Sequence, residues 1–162
     1  MTSKKRVVLI TGAESGIGKS TSKIFLDNGY KVICTYLKNN NNKNTKDIEY
    51  HRIDITKNKD WENLALYIKK KFKKIDVLVN SAGVRLSGNL ETTSMSDWSY
   101  HLNNNVTGTF LACKYILPFL KKAKNSSIIN VASINSIRGA KNMLAYATSK
   151  SAIISFTASL AL

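Results

Sequence analysis

The hydrophobic positions of this chain alternate between two rhythms. Val7-Val8-Leu9-Ile10 is an unbroken apolar run that stops at Thr11-Gly12-Ala13-Glu14-Ser15-Gly16-Ile17-Gly18. Such a run is expected of a strand buried on both faces. Ile17, Thr21, Ile24 and Phe25 then recur at helical spacing, and Asn28-Gly29 closes that helix as a C-cap. Lys31 to Tyr36 predicts a second strand, so strand, glycine turn, helix and strand form one βαβ unit. Lys38 to Lys46 is nearly all asparagine and lysine with no apolar stripe, which predicts a connection whose helix is shortened or absent.

The same alternation continues downstream. Ile48 to Ile55 predicts a third strand with Asp54 near its end. Trp61, Leu64, Ile68 and Phe72 mark one face of a helix, while Lys69 to Lys71, Lys73 and Lys74 form a solvated surface. Ile75 to Val79 predicts a fourth strand running into Asn80-Ser81-Ala82-Gly83. Asn105 to Lys122 has helical period, with Pro118 expected to kink or end it. Ser127 to Ala132 predicts a fifth strand leading to Ser133, and an apolar helix rich in small residues starts at Ala145. Strands alternating with helices throughout indicate an α/β fold, a Rossmann-like, doubly wound parallel sheet of about five strands. In such sheets ligands bind beyond the carboxyl ends of the strands, and Gly12, Asp54, Asn80 and Ser133 all follow strand ends.

Composition narrows this picture. A chain of 162 residues that is 43% hydrophobic is long and apolar enough for one domain with a real core. The formal charge of +15 raises the possibility of a nucleic-acid partner. The excess is almost all lysine, evenly spread, with arginine only at 6, 52, 85 and 138; a nucleic-acid groove calls for clustered arginine and interleaved aromatics. Cys34, Cys113, His51 and His101 have neither metal-ligand nor disulfide-framework spacing, so no metal is expected and both thiols read as reduced core residues. The apolar run after the basic start is too short for a secretion signal, and nothing approaches the roughly 18 apolar residues of a membrane span. The chain reads as a cytoplasmic protein without a membrane or nucleic-acid partner.

The chemistry centres on Tyr146-Ala147-Thr148-Ser149-Lys150. Residues four apart on a helix share a face, with Cβ atoms about 5–6 Å apart. A phenol ordinarily titrates near 10, and an ammonium at about 4 Å in a medium of effective dielectric near 20 favours the phenolate by roughly 4 kcal/mol. That is enough to make a tyrosine useful in general acid–base catalysis. The glycine turn, for its part, lets backbone N–H groups approach a pyrophosphate at the positive end of the first helix.

Assembled, these residues resemble the short-chain dehydrogenase/reductase family over Thr11 to Lys150. Thr11 to Gly18 is similar to the family's Thr-Gly-x-x-x-Gly-x-Gly cofactor turn, and Asn80-Ser81-Ala82-Gly83 to its Asn-Asn-Ala-Gly motif, with serine softening one structural hydrogen bond. The resemblance implies that Gly12, Ser15, Gly16, Ile17, Gly18, Lys38, Asp54, Ile55, Asn80, Ala82, Gly83, Tyr146 and Lys150 hold a dinucleotide, with Asp54 at the adenine. It implies Asn105, Ser133, Tyr146 and Lys150 as catalytic residues. Tyr146 would exchange a proton with the substrate oxygen, and Ser133 would hydrogen-bond and orient it. Lys150 would favour the phenolate and hold the nicotinamide ribose, and Asn105 would keep a water in a proton relay. Hydride transfer belongs to the cofactor.

No acid stands at Thr35-Tyr36-Leu37-Lys38, where folds that bind NAD usually place one for the ribose 2′-OH, and Lys38 could attract a 2′-phosphate. The expectation is NADP(H) over NAD(H), with Glu14 working mildly against it. The family continues with two more strands and a substrate-closing segment, so a truncated domain with most substrate-selecting residues missing is expected, as is a homodimer or homotetramer at full length. The expected function is an NAD(P)-dependent oxidoreductase interconverting a carbonyl and an alcohol of a small molecule. The alternative is a non-catalytic dinucleotide-binding or interaction module left by truncation.

Overall fold

The computed structural model describes residues 5–38 and 43–162. Five strands, β1 (Val7–Thr11), β2 (Lys31–Tyr36), β3 (Ile48–Arg52), β4 (Val77–Asn80) and β5 (Ser127–Asn130), form one sheet. The order is β3-β2-β1-β4-β5 and every pairing is parallel. The chain winds outward from β1 to β3, then returns to add β4 on the other side of β1. That reversal creates a switch point between the carboxyl ends of β1 and β4, where Thr11 is in register with Asn80.

Alternate residues of the central strands feed two cores. Val8, Ile10, Val32, Cys34, Val77 and Val79 face α1 (Gly16–Asp27), where Phe25 and Leu26 pack on them. Leu9, Ile33 and Leu78 face α2 (Asn58–Lys71) and α4 (Gly108–Leu120), meeting Trp61, Ile68 and Ile116. Each such side chain, fully buried, contributes about 1.5–3 kcal/mol. A fifth helix, α5 (Leu144–Leu160), lies on this second side, with Phe156 packed against the same core. Both cysteines are buried thiols, which burial pushes up to about 12 at Cys34 and about 11 at Cys113.

Asn28-Gly29 does terminate α1. Gly29 takes a φ of +79°, Tyr30 N–H donates to Phe25 O at 3.0 Å and Gly29 N–H to Leu26 O at 2.9 Å. The Phe25 and Tyr30 rings close the motif edge to face, 4.9 Å apart. The helical pattern before it misplaces the contact face, since Ile17 and Ile24 are each 61% exposed. Of the predicted apolar stripe Phe25 does pack on the core, and with Leu26 and buried Gly18 and Ser22 it forms the contact of α1 with the sheet. A side chain on Gly18 would collide with the carbonyl of Gly12, so small residues set the approach of this helix.

The predicted helix Asn105 to Lys122 is two pieces, the end of a π-helical segment and a regular helix, and a further short helix precedes it. A short helix α3 (Met95–His101) runs into a π-helical segment, Leu102–Thr107, and then into α4. Wider turns of this kind recur at functional sites because they re-aim a side chain that a regular helix would point elsewhere. Pro118 lies inside α4, which ends two residues later at Leu120. Strands β3 and β5 stop short of the predicted Ile55 and Ala132 because their pairing partners end first. Residues 43–47 contain no helix, as the lysine–asparagine composition predicts; residues 39–42 of that connection lie outside the described residues.

On the outer strand β3, the Glu49 carboxylate accepts hydrogen bonds from the Tyr67 hydroxyl and, at 2.6 Å, pairs with Lys71 Nζ. Burial alone would raise its pKa, but the Lys71 and Tyr67 hydrogen bonds outweigh it and hold it below the ordinary 4.5. A depressed folded value means the stabilisation is present above 4.5 and is lost as pH falls through the folded value. Glu49→Gln is expected to cost about 1–3 kcal/mol at neutral pH and to flatten the acid limb of the stability profile. Urea midpoints for both proteins between about pH 3 and 6 check this.

Candidate active site

The rim of the sheet is built by backbone meeting backbone at the switch point. Gly12 takes a φ of +65°, and a Cβ there would stand 2.8 Å from Ala82 Cα. Thr11, fully inside the sheet, turns its hydroxyl oxygen up to accept the N–H groups of Ser81 and Ala82, each at 3.1 Å. These contacts splay the turn after β1 and the segment after β4 around a crevice of about 290 Å³. Its walls are the glycine turn from Gly12 to Ile17, the end of β2 at Thr35 to Leu37, and Ser81 to Val84, with Ile53 and Ile55 at one end. Ser15 is the N-cap of α1, yet its side chain bonds no backbone N–H, and the first turn carries no acid. The amides of that turn are therefore available to an anion in the crevice.

Two of the residues singled out for catalysis, Asn105 and Lys150, meet behind Gly83 on the β4 side, whereas among the described residues no hydrogen bond joins Ser133 to Tyr146 or Lys150. Lys150 is 6% exposed and its Nζ donates to Val131 O at 2.7 Å. Burial holds its pKa below the usual lysine range. Asn105, 1% exposed within the π-helical segment, accepts Val84 N–H at 2.7 Å through Oδ1. Its Nδ2 donates to Val84 O at 3.0 Å and Ser149 Oγ at 2.8 Å. Gly83 lies between them: a Cβ there would come within 2.9 Å of Asn105 Oδ1 and 3.5 Å of Lys150 Nζ. One turn before Lys150 on α5, Tyr146 is half-buried, its ring 6.4 Å from that of His101 and edge-on to it. Among the described residues its hydroxyl has no hydrogen-bond partner. The Ser133 hydroxyl accepts Asn135 N–H at 3.2 Å and caps a short 3₁₀ turn, Ile134–Ser136.

Other predicted residues make framework contacts. Asn80 Nδ2 donates across to Asn130 Oδ1 on β5 at 2.8 Å, and Asn80 does not line the crevice. Asp54 Oδ1 accepts the hydroxyl and N–H of Thr56, at 2.7 and 3.0 Å, in the turn leading to α2. Burial would raise the Asp54 pKa, but the Thr56 bonds and Lys57 hold it low. Ile53 and Ile55 on either side of it face the crevice, so the chain presents apolar side chains there. Lys38 is exposed at the end of β2 and outside the crevice wall.

Sequence reasoning passed over four residues that the fold brings in. His101, 1% exposed, accepts Leu86 N–H at Nε2 (3.0 Å) and donates from Nδ1 to Asp97 O (2.7 Å), pinning the loop after β4 beside Tyr146. Ser149 bridges Asn105 to the Tyr146 carbonyl. Asn104 lines the crevice and Arg52 Nε donates to Leu37 O at 3.1 Å. Only Ser149 carried a signal, as the residue between the paired Tyr and Lys.

Fold and site together define a doubly wound dinucleotide-type domain with a buried lysine behind Gly83, one of the residues that line its crevice, while Ser133, Tyr146 and Lys150 themselves do not line it. The chain belongs to the short chain dehydrogenase family, whose model matches residues 6–162. It is 35% identical over 160 residues to dehydrogenase/reductase SDR family member 6 of Aquarana catesbeiana, covering 96% of this chain and 64% of that relative. The chain therefore spans just under two thirds of that relative's length. Among solved structures, it is similar to ElxO with NADP bound (TM-score 0.84, 32% identity, 94% of this chain and 65% of that one). It is also similar to 4-hydroxyisoleucine dehydrogenase complexed with NADH (TM-score 0.87, 26% identity, 97% and 68%).

Two substitutions probe the geometry independently of activity. Asn105→Ala strips three buried hydrogen bonds and is expected to lower stability by about 2–4 kcal/mol, read by urea denaturation. Gly12→Val forces a branched side chain into a positive-φ site against Ala82 and is expected to cost more than about 2 kcal/mol. Gly139→Ala, where a Cβ meets nothing within 4 Å, serves as the control and should be near neutral.

Proposed function

We propose that these 162 residues fold as a single dinucleotide-binding, Rossmann-like unit of an oxidoreductase that interconverts a carbonyl and an alcohol on a small molecule. The observation that carries this reading is the Lys150 amine, buried behind the crevice-lining Gly83 and beside Asn105. A cation is buried only where something compensates it, and a single carbonyl partner is meagre for structure alone. The residues present fit a nicotinamide dinucleotide. Gly12 and Gly83 leave the space side chains would fill, and the first-turn amides of α1 around Gly16, Ile17 and Gly18 suit a pyrophosphate. Ser15, Ile55, Ala82 and Gly83 would line its path, with Asp54 and Asn80 supporting the ends of their strands.

When bound, the dinucleotide supplies or accepts the hydride. The chain's own part is to place and move a proton. Tyr146 would give a proton to the substrate oxygen in reduction and take it back in oxidation. Ser133, while its oxygen still accepts Asn135 N–H, would donate its hydroxyl proton to that oxygen as charge develops on it. Lys150 would sustain the positive field near the phenol, and Asn105 would hold the π-helical segment and α5 in register through Val84 and Ser149.

At the ribose 2′ position, the missing acid after β2, with Lys38 there and Arg52 bonded to Leu37, favours NADP(H), while the Glu14 carboxylate on the same wall favours NAD(H). Homo-oligomerisation through α5, where Ile154 is 43% exposed, and a cytoplasmic location complete the reading. No helix among the described residues is long and apolar enough to cross a membrane.

The test is carbonyl-dependent consumption of NADH or NADPH. Tyr146→Phe is expected to lower it by about 10²–10⁴-fold while leaving dinucleotide binding intact. The second reading is a binding module without catalysis, favoured by a crevice whose lining includes none of Ser133, Tyr146 and Lys150. In that case dinucleotide binds, no carbonyl is reduced, and Tyr146→Phe changes nothing.

A further inference from the structure

Glu14 stands inside the glycine turn by sequence but at the end of β2 in space. Ala13 N–H donates to Thr35 O at 2.9 Å, which ties the turn to the second strand. Glu14 Oε1 consequently accepts the N–H of Leu37 at 3.4 Å, twenty-three residues away. The carboxylate lines the crevice beside Ser15, Tyr36 and Leu37. Its other oxygen, Oε2, is shut off from solvent with no hydrogen-bond donor facing it. Among the described residues no lysine or arginine forms an ion pair with it, although seven such pairs occur elsewhere. Oε2 as it stands is closed to a ligand, and a turn of this crevice-wall carboxylate that brings it into the crevice would satisfy it with a hydroxyl donor.

We infer that Glu14 supplies the acid that the end of β2 lacks, accepting a ribose hydroxyl of NAD(H) and excluding the 2′-phosphate of NADP(H). This deepens the dinucleotide-binding reading and rests on it. An acid at the end of the second strand discriminates because a 2′-OH can donate to it, whereas a phosphate brings like charge and no donor. The opposing cations are placed less well. Lys38 and Arg52 are both exposed, and Arg52 already commits its Nε to Leu37 O. Solvent screens them, while the carboxylate acts from the crevice wall itself. The lysine at position 38, which favours NADP(H) when the chain is read as a string, is thereby outweighed.

The test is fluorescence titration of the 162-residue chain with NADH and with NADPH, repeated for Glu14→Gln and Glu14→Ser, with thermal melts to establish folding. The unsubstituted chain is expected to bind NADH about tenfold or more tighter than NADPH. Both variants should lose most of that ratio, chiefly by binding NADPH tighter. A preference for NADPH in the unsubstituted chain overturns the assignment to Glu14 and leaves the dinucleotide site standing. An NADH preference unchanged in folded Glu14→Gln and Glu14→Ser overturns it equally. Failure to bind either dinucleotide removes the dinucleotide reading and this inference with it.

Discussion

Everything at the rim depends on how closely two stretches of backbone approach between β1 and β4. Gly12 sits where a Cβ would strike Ala82 Cα, and the Thr11 hydroxyl draws the Ser81 and Ala82 amides toward the same point. The sheet opens on either side of that contact because β2 follows β1 on one flank and β4 enters on the other. The crevice is the space left between the two departing connections. Relaxing the contact would move the glycine turn, and with it the first turn of α1, whose amides are the natural anion site of this fold. Gly18 adds the second constraint, letting α1 rest on the Gly12 carbonyl so that Ser22 and not an isoleucine faces the sheet.

A second knot lies behind the crevice-lining Gly83. Asn105 uses its whole amide to join the segment after β4, the π-helical turn and α5, while Lys150 reaches back from α5 to the Val131 carbonyl beyond β5. Three elements that are distant in sequence are thus locked by one amide and one amine. Desolvation lowers the lysine pKa, so the folded state holds its charge at a cost that other interactions offset. His101 adds a quieter restraint, fixing the Leu86 amide below Tyr146 through a ring whose two nitrogens are both committed. The result is a rigid shell around a tyrosine whose own hydroxyl is left available.

The framework residues explain why strand ends and site residues coincide so often in this architecture. Asn80 and Asn130 bond across β4 and β5, Asp54 organises the turn into α2, and Ser133 caps the turn after β5. Each stands where a strand releases the chain and backbone groups lose their ladder partners. Polar side chains are needed there whether or not a ligand comes.

How much of this was readable from the linear order of residues follows from the range of the interactions. Runs such as Val7 to Ile10 and the Gly29 cap depend on neighbours within a few positions, so strands, the parallel winding and the tyrosine–lysine spacing were all legible. Pattern alone misjudged the exposed face of α1, ran the end of the π-helical segment and α4 into one helix, and left α3 out. Those outcomes are decided by what packs against the helix, at Gly12 and Gly83, and not by its period. Glu14 is the clearest instance. Its sequence neighbours are glycine-turn residues, yet its carboxylate meets Leu37 because parallel pairing of β1 with β2 brings their carboxyl ends together. Local patterning determined which elements form and along which line chemistry gathers; only the packed sheet determined which side chains face one another across it, because those contacts join residues tens of positions apart.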